Sequence, residues 1–185
     1  MKKYLIAACC ILISVYASAQ TEKTTNSSDD PLDVSKLVEQ IEKYGVPTIS
    51  AVDEMWTKAK ALYDTQDWKG AAEAYEKYAK HANWLANLLA QCVEPYYGAS
   101  YDDRKNISYT LLKQYIPYET ASNKLKGNRN EAYVKMGLCY KHMGDVNRAV
   151  TFLHKGLDLL DIEQTTIWSE AASALAEIVG YSAAN

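Results

Sequence analysis

From residue 32 onward the apolar positions recur every three or four residues, the spacing of one face of an α-helix. Leu32, Val34, Leu37, Val38, Ile41 and Tyr44 form the first such stripe, and Gly45 follows as a stop. Val46-Pro47 reads as a turn, so residues 32–50 predict an N-terminal capping helix and its turn. Ser50 is a good N-cap for a helix from about Ala51 to Thr65, and Asp67 for another to about Ala82. Asn83 then stands as a cap for a third stretch. Trp84, Leu85, Leu88, Leu89, Cys92 and Val93 point inward there, and Pro95 bends or ends it. Asp102-Asp103 precede a helix through Ile107, Leu111, Leu112 and Tyr115, which Pro117 stops. Tyr118 to Asn130 is polar, contains Gly127-Asn128, and reads as a long connection. Asn130 caps the next helix, to Met143. Gly144-Asp145 turns the chain, another helix runs to about Leu159, and the last covers Glu163 to Tyr181. No stretch alternates apolar and polar residues with β-branched enrichment, so no strand is predicted and the fold class is all-α.

The N-terminus follows a different pattern. Lys2 and Lys3 precede an apolar run from Tyr4 to Tyr16, and Ala17-Ser18-Ala19 supplies an A-x-A cleavage signal. This is the pattern of a cleavable secretory signal, residues 1–19, and its run is too short for a mature membrane-spanning helix. No second long apolar stretch follows, so the mature chain is expected to lack a transmembrane segment and to be a bacterial periplasmic protein. A competing pattern is Ile6-Ala7-Ala8-Cys9, which fits lipid attachment at Cys9. Only five residues precede it, and the apolar run continues past it where a lipobox would end the run. Gln20 to Pro31 contains no apolar residue able to pack and reads as a disordered tether over residues 20–31.

Composition adds two constraints. Lys and Arg number 20 against 23 Asp and Glu, for a net charge of −3. The cationic excess that phosphate neutralisation requires is absent, so no nucleic-acid partner is expected. After signal removal Cys92 and Cys139 remain in an oxidising compartment. A disulfide and two buried free thiols both stay open, because each cysteine sits at a small apolar position of a helical pattern.

The helices contain a repeat. Tyr133-x2-Met136-Gly137-x2-Tyr140 is followed by Ala149-x3-Leu153, with the turn M-G-D-V-N-R-A between them. An earlier segment matches at the same internal offsets: Ala59-x2-Leu62, then Ala71-x3-Tyr75, with the turn Q-D-W-K-G-A. This pattern resembles the tetratricopeptide repeat. Small residues at Gly137 and Ala149, and at Ala59 and Ala71, let antiparallel helices approach, and the large residues fill the space around them. Lys58 and Met55 depart from the usual apolar and aromatic residues. Ala71 and Ala149 are further apart than two repeats of about 34 residues. The resemblance therefore implies repeats at 51–82 and 129–160, a degenerate Tyr-rich helix pair and connection at 83–128, and a C-terminal capping helix at 161–185. The whole would be an α-solenoid of antiparallel helix pairs capped at both ends.

The resemblance also implies a partner-binding face on the first helix of each pair. Trp56, Lys60 and Tyr63 stand there in the first unit, and Val134, Leu138, Lys141 and His142 in the second. Family members that grip a peptide's terminal carboxylate use Lys and Asn where Trp56, Val134, Lys60 and Leu138 stand here. That clamp is therefore absent or incomplete. A second contact is expected from the Tyr-rich stretch, which holds Tyr96, Tyr97, Tyr101, Tyr109, Tyr115 and Tyr118. Tyr offers large contact area with a polar handle and is enriched at interfaces.

No motif carries chemistry. There is no Gly-rich phosphate loop and no H-E-x-x-H. Cys139-x-x-His142 places a thiol and an imidazole on one helix face, with His154 on the paired helix and Cys92 a remote further candidate. A metal would need further clustered ligands, and a nucleophile would need an oriented base. No enzyme activity, cofactor or metal is predicted. The expected function is an adaptor or scaffold holding unidentified envelope proteins, as an accessory subunit of an envelope or secretion-system assembly. The alternative is a carbohydrate- or peptide-binding accessory of an envelope uptake system. Monomer and homo-oligomer both stay open.

Overall fold

The computed structural model describes residues 34–94, 96, 98–161 and 164–181. The signal, tether and Cys9 lipidation expectations, with Leu32, Pro95, Tyr97, Ile162 and Glu163, lie outside the described residues. The chain divides into two compact units, Met1–Glu39 and Gln40–Asn185. In the first, residues 34–39 enter α1 (Ser35–Tyr44) and are exposed. The described residues hold seven helices and no strand.

In the second unit, Gly45 ends α1 with its N–H on the Ile41 carbonyl. α2 (Ile49–Asp64) opens at Thr48 rather than Ser50, because the Thr48 hydroxyl accepts from the Ala51 N–H. α3 begins at Trp68, where the Asp67 carboxylate accepts from the Gly70 N–H at 3.0 Å. α6 (Val146–Leu159) begins the same way, with Asp145 accepting from the Arg148 N–H.

The turns into α3 and α6 superimpose bond for bond. Asp67 donates to the Leu62 carbonyl and Asp145 to that of Tyr140, and Trp68 and Val146 donate to Gln66 and Gly144. Gly144 has φ +76° and Gln66, at the equivalent place, φ +64°. The sequence repeat is thus a repeat of hydrogen bonds, with a glutamine held in left-handed backbone that a glycine occupies more easily.

The expected middle pair is corrected. α3 does not stop at Ala82 but runs to Gln91, and α5 runs unbroken from Tyr109 to His142. The predicted connection at 118–130 and the predicted stop at Pro117 both lie inside α5. Trp68 meets His142, Asn83 meets Arg129 and Ala86 meets Ser122, so α3 and α5 run antiparallel along their length. The additional residues lengthen two existing helices instead of building a new pair.

The reason lies in polar groups that find partners on packed helices. Ser122 is fully buried and its hydroxyl donates to the Ala86 carbonyl at 2.9 Å. Asn130 caps nothing: it is buried in α5, its amide donating to the Leu159 carbonyl at 2.6 Å. Asn83 sits inside α3, accepting from Arg129. Between α3 and α5, α4 (Tyr101–Lys105) is one short turn capped by Ser100, with Asp102 and Asp103 in its first turn.

α5 packs on α6, and α7 (Thr165–Ile178) closes that end. One apolar cluster joins Val52 and Ala59 of α2, Ala71, Tyr75 and Tyr78 of α3, and Met136 and Cys139 of α5. A second holds Val134 and Leu138 of α5, Leu153 of α6, and Ala171 and Ala174 of α7. The helices approach most closely at two glycines: a Cβ on Gly137 would lie 2.8 Å from the Leu153 backbone nitrogen, and one on Gly156 would lie 2.5 Å from Val134 Cγ2.

Candidate partner-binding surface

The first helices of the pairs, α2 and α5, and the capping helix α7 share a face. Tyr63 on α2 is half-buried, its ring centroid 5.4 Å from that of Trp68 and 6.2 Å from that of Tyr75. The Lys135 ammonium of α5 lies 4.9 Å from the Tyr63 ring centroid, and the same ammonium pairs with Glu170 of α7 at 2.9 Å. Burial, and then the Glu170 carboxylate, push the Tyr63 hydroxyl up to about 12. An aromatic, a cation and an anion therefore form one row across three helices. Thr166 and Ile167 lie beside Lys135 and Glu170 in a shallow depression on this face.

The expected site residues separate into groups. Lys60 is exposed on α2. Trp56 is partly buried, against Tyr75 at 5.7 Å and Tyr78 at 4.8 Å between ring centroids. His142 is exposed, with its ring stacked on Trp68 at 4.1 Å. Lys141 pairs with Glu177 of α7.

Val134 and Leu138 are corrected, being 0% and 6% exposed. α7 lays Ala171 and Ala174 over the same cluster, so these two residues hold the cap in place rather than face a partner. Lys135, which was not among the expected site residues, sits between Tyr63 and Glu170 with its side chain 17% exposed. Its signal was the Glu131/Lys135 pair, spaced to share a helix face.

The Tyr-rich stretch also divides. Tyr96 is corrected: it is buried, 5.2 Å from Tyr115 and with the Arg104 guanidinium 5.1 Å from its ring. Tyr97 lies outside the described residues. Tyr101 is 75% exposed with Lys105 over its ring at 4.3 Å, and Tyr109 is 70% exposed with Lys113 at 4.8 Å. Ile116 and Tyr118 are exposed nearby in sequence.

Among the described residues, Cys92 and Cys139 are free and form no disulfide with each other. Cys92 is exposed, its thiol donating to the Leu88 carbonyl, whereas Cys139 is buried in the first cluster. Burial pushes the Cys139 thiol up to about 12, which opposes thiolate chemistry there.

The profile of the tetratricopeptide repeat family matches residues 131–155, the end of α5, its turn and most of α6. The chain carries a tetratricopeptide repeat. The α2–α3 pair reproduces this repeat's turn and cap, as the shared hydrogen bonds show. No curated protein and no solved structure matches the chain. Tetratricopeptide repeats are protein–protein interaction modules, and proteins built on them are generally non-enzymatic scaffolds. Among the described residues no helix is long and apolar enough to cross a membrane.

Proposed function

We propose that this protein is a periplasmic adaptor that holds envelope proteins together, as an accessory subunit of an envelope or secretion-system assembly. The observation that carries the reading is the row Tyr63–Lys135–Glu170, which crosses α2, α5 and α7 on one face beside exposed Lys60. Half-buried aromatics flanked by charges on rigid helices are the usual makings of an interface centre and rim. Exposed Tyr101 and Tyr109 supply a second contact. The secretory pattern of residues 1–19 supports the location.

Affinity capture of the tagged mature protein from mildly crosslinked envelopes, read by mass spectrometry, tests the reading. Recovery of the same few envelope proteins in near-stoichiometric yield is expected. Recovery of the protein alone would overturn the adaptor.

A further inference from the structure

A pocket of about 490 Å³ opens between the end of α1, the middle of α3, α5 and the end of α6. It uses residues of Gln40–Asn185 and lies apart from the Tyr63–Lys135–Glu170 row. Its volume is within the range of small-ligand sites.

Its chemistry is one-sided. Lys80, Arg129 and Lys155 bring three cations to the lining, and among the described residues no carboxylate lines it. Lys80 pairs with Glu76 outside the lining. Arg129 is held in place, its Nε and one terminal nitrogen donating to Asn130 and the other to Asn83. A guanidinium carries five N–H groups, so donors are left over.

Flat surfaces come from Tyr44, Trp84 and Tyr133, and amides from Asn83 and Asn87. The Trp84 indole nitrogen is buried, with no hydrogen-bond partner among the described residues, so Trp84 offers the pocket its ring and not its N–H. His81 is buried with its Nδ1–H donating to the Lys77 carbonyl, so when neutral its Nε2 is an acceptor.

We propose that this pocket binds an acidic sugar, a uronate of one or two rings. The cations would meet the carboxylate. Amides that both donate and accept would meet neighbouring hydroxyls, and Trp84 with the tyrosines would meet the apolar ring faces. A neutral sugar would leave Arg129 and Lys155 without a counter-charge among the described residues. The pocket's position on α3 and α6 makes this independent of the adaptor reading, whose capture result it does not alter.

Titration with digalacturonate, followed by calorimetry and tryptophan fluorescence, tests the proposal. Cellobiose and an N-acetylated Asp-Tyr dipeptide serve as neutral-sugar and acidic-peptide comparisons. Saturable digalacturonate binding is expected, with cellobiose at least about tenfold weaker. Tyr44→Ala removes an exposed ring face from the lining. Lys155→Glu reverses an exposed charge. Each should weaken digalacturonate about tenfold while the melting temperature stays near that of the parent. Absence of saturation by digalacturonate, equal affinity for cellobiose, preference for the dipeptide, or indifference to Lys155→Glu would each overturn it.

Discussion

The closest approach in the repeat sits at Gly137, and it allows a sharp test. A Cβ there would lie 2.7 Å from Leu153 Cγ and 2.8 Å from the Leu153 backbone nitrogen. The side chain could rotate away, but the backbone nitrogen belongs to α6 and cannot move alone. Gly137→Ala therefore forces α5 and α6 apart. Overpacking of this kind costs about 1–3 kcal/mol. Against it stands the helix preference of Ala over Gly, a gain of about 1 kcal/mol. Gly127 separates the two effects. It lies in the same helix, and a Cβ there would meet only Gln164 Nε2, at 3.9 Å. Gly127→Ala should thus show the propensity gain alone and stabilise by about 0.5–1 kcal/mol. Gly137→Ala should be less stable than Gly127→Ala by about 1–3 kcal/mol, the overpacking cost alone. For a chain of this size each kcal/mol moves the melting temperature by about 2–4 °C. Urea and thermal melts followed by circular dichroism would read the difference. Equal stability of the two variants would refute the close crossing of α5 and α6, and with it the packing logic of the repeat.

Other consequences are open to direct measurement. Gln66→Gly should stabilise the fold by up to about 1 kcal/mol, since left-handed backbone costs a side chain about that much; an unchanged urea midpoint would contradict the strained turn. Ser122→Ala removes a buried hydrogen bond between α5 and α3, while the Ala86 carbonyl keeps its place in the α3 ladder, and should cost about 0.5–1.5 kcal/mol in the same melts. Tyr63, Tyr78 and Cys139 keep their protons to about 12 when folded, from ordinary values of 10, 10 and 9. The unfolded chain loses these protons first, so stability is fully present below pH 9 and falls as pH rises towards 12. Flat stability across that window in urea titrations would count against their burial. Iodoacetamide at neutral pH should label exposed Cys92 in the native protein and reach Cys139 only after unfolding, as peptide mapping would show.

The repeat was legible because packing wrote it into residue size. Gly137, Ala149, Ala59 and Ala71 are small where helices touch, and Asp67 and Asp145 cap the second helix of each pair. The middle of the chain was not legible, because its burial is polar. Ser122 and Asn130 carry no hydrophobic signal, yet both are buried with donors aimed at carbonyls of other helices. Nothing local to Asn83 or Arg129 reveals that they meet across α3 and α5. Pro117 is tolerated inside α5 although it removes one helical hydrogen bond. The same blindness affected the candidate surface. The spacing that put Val134 and Leu138 on the shared face was sound, but α7 covers them, and coverage by a distant helix is a tertiary fact. Lys135 and Tyr63 became neighbours only once α2 and α5 were set side by side.

The central claim is that the face carrying Lys60 and Tyr63 holds a protein partner. It is tested most directly by a photo-crosslinking residue placed at position 60, compared with one at position 58. Both positions are exposed on α2, and two residues along a helix turn the side chain by roughly 200°. Irradiation in cells should give a discrete adduct with another envelope protein from position 60 and little from position 58. Equal labelling from the two positions, or none from position 60, would contradict the account.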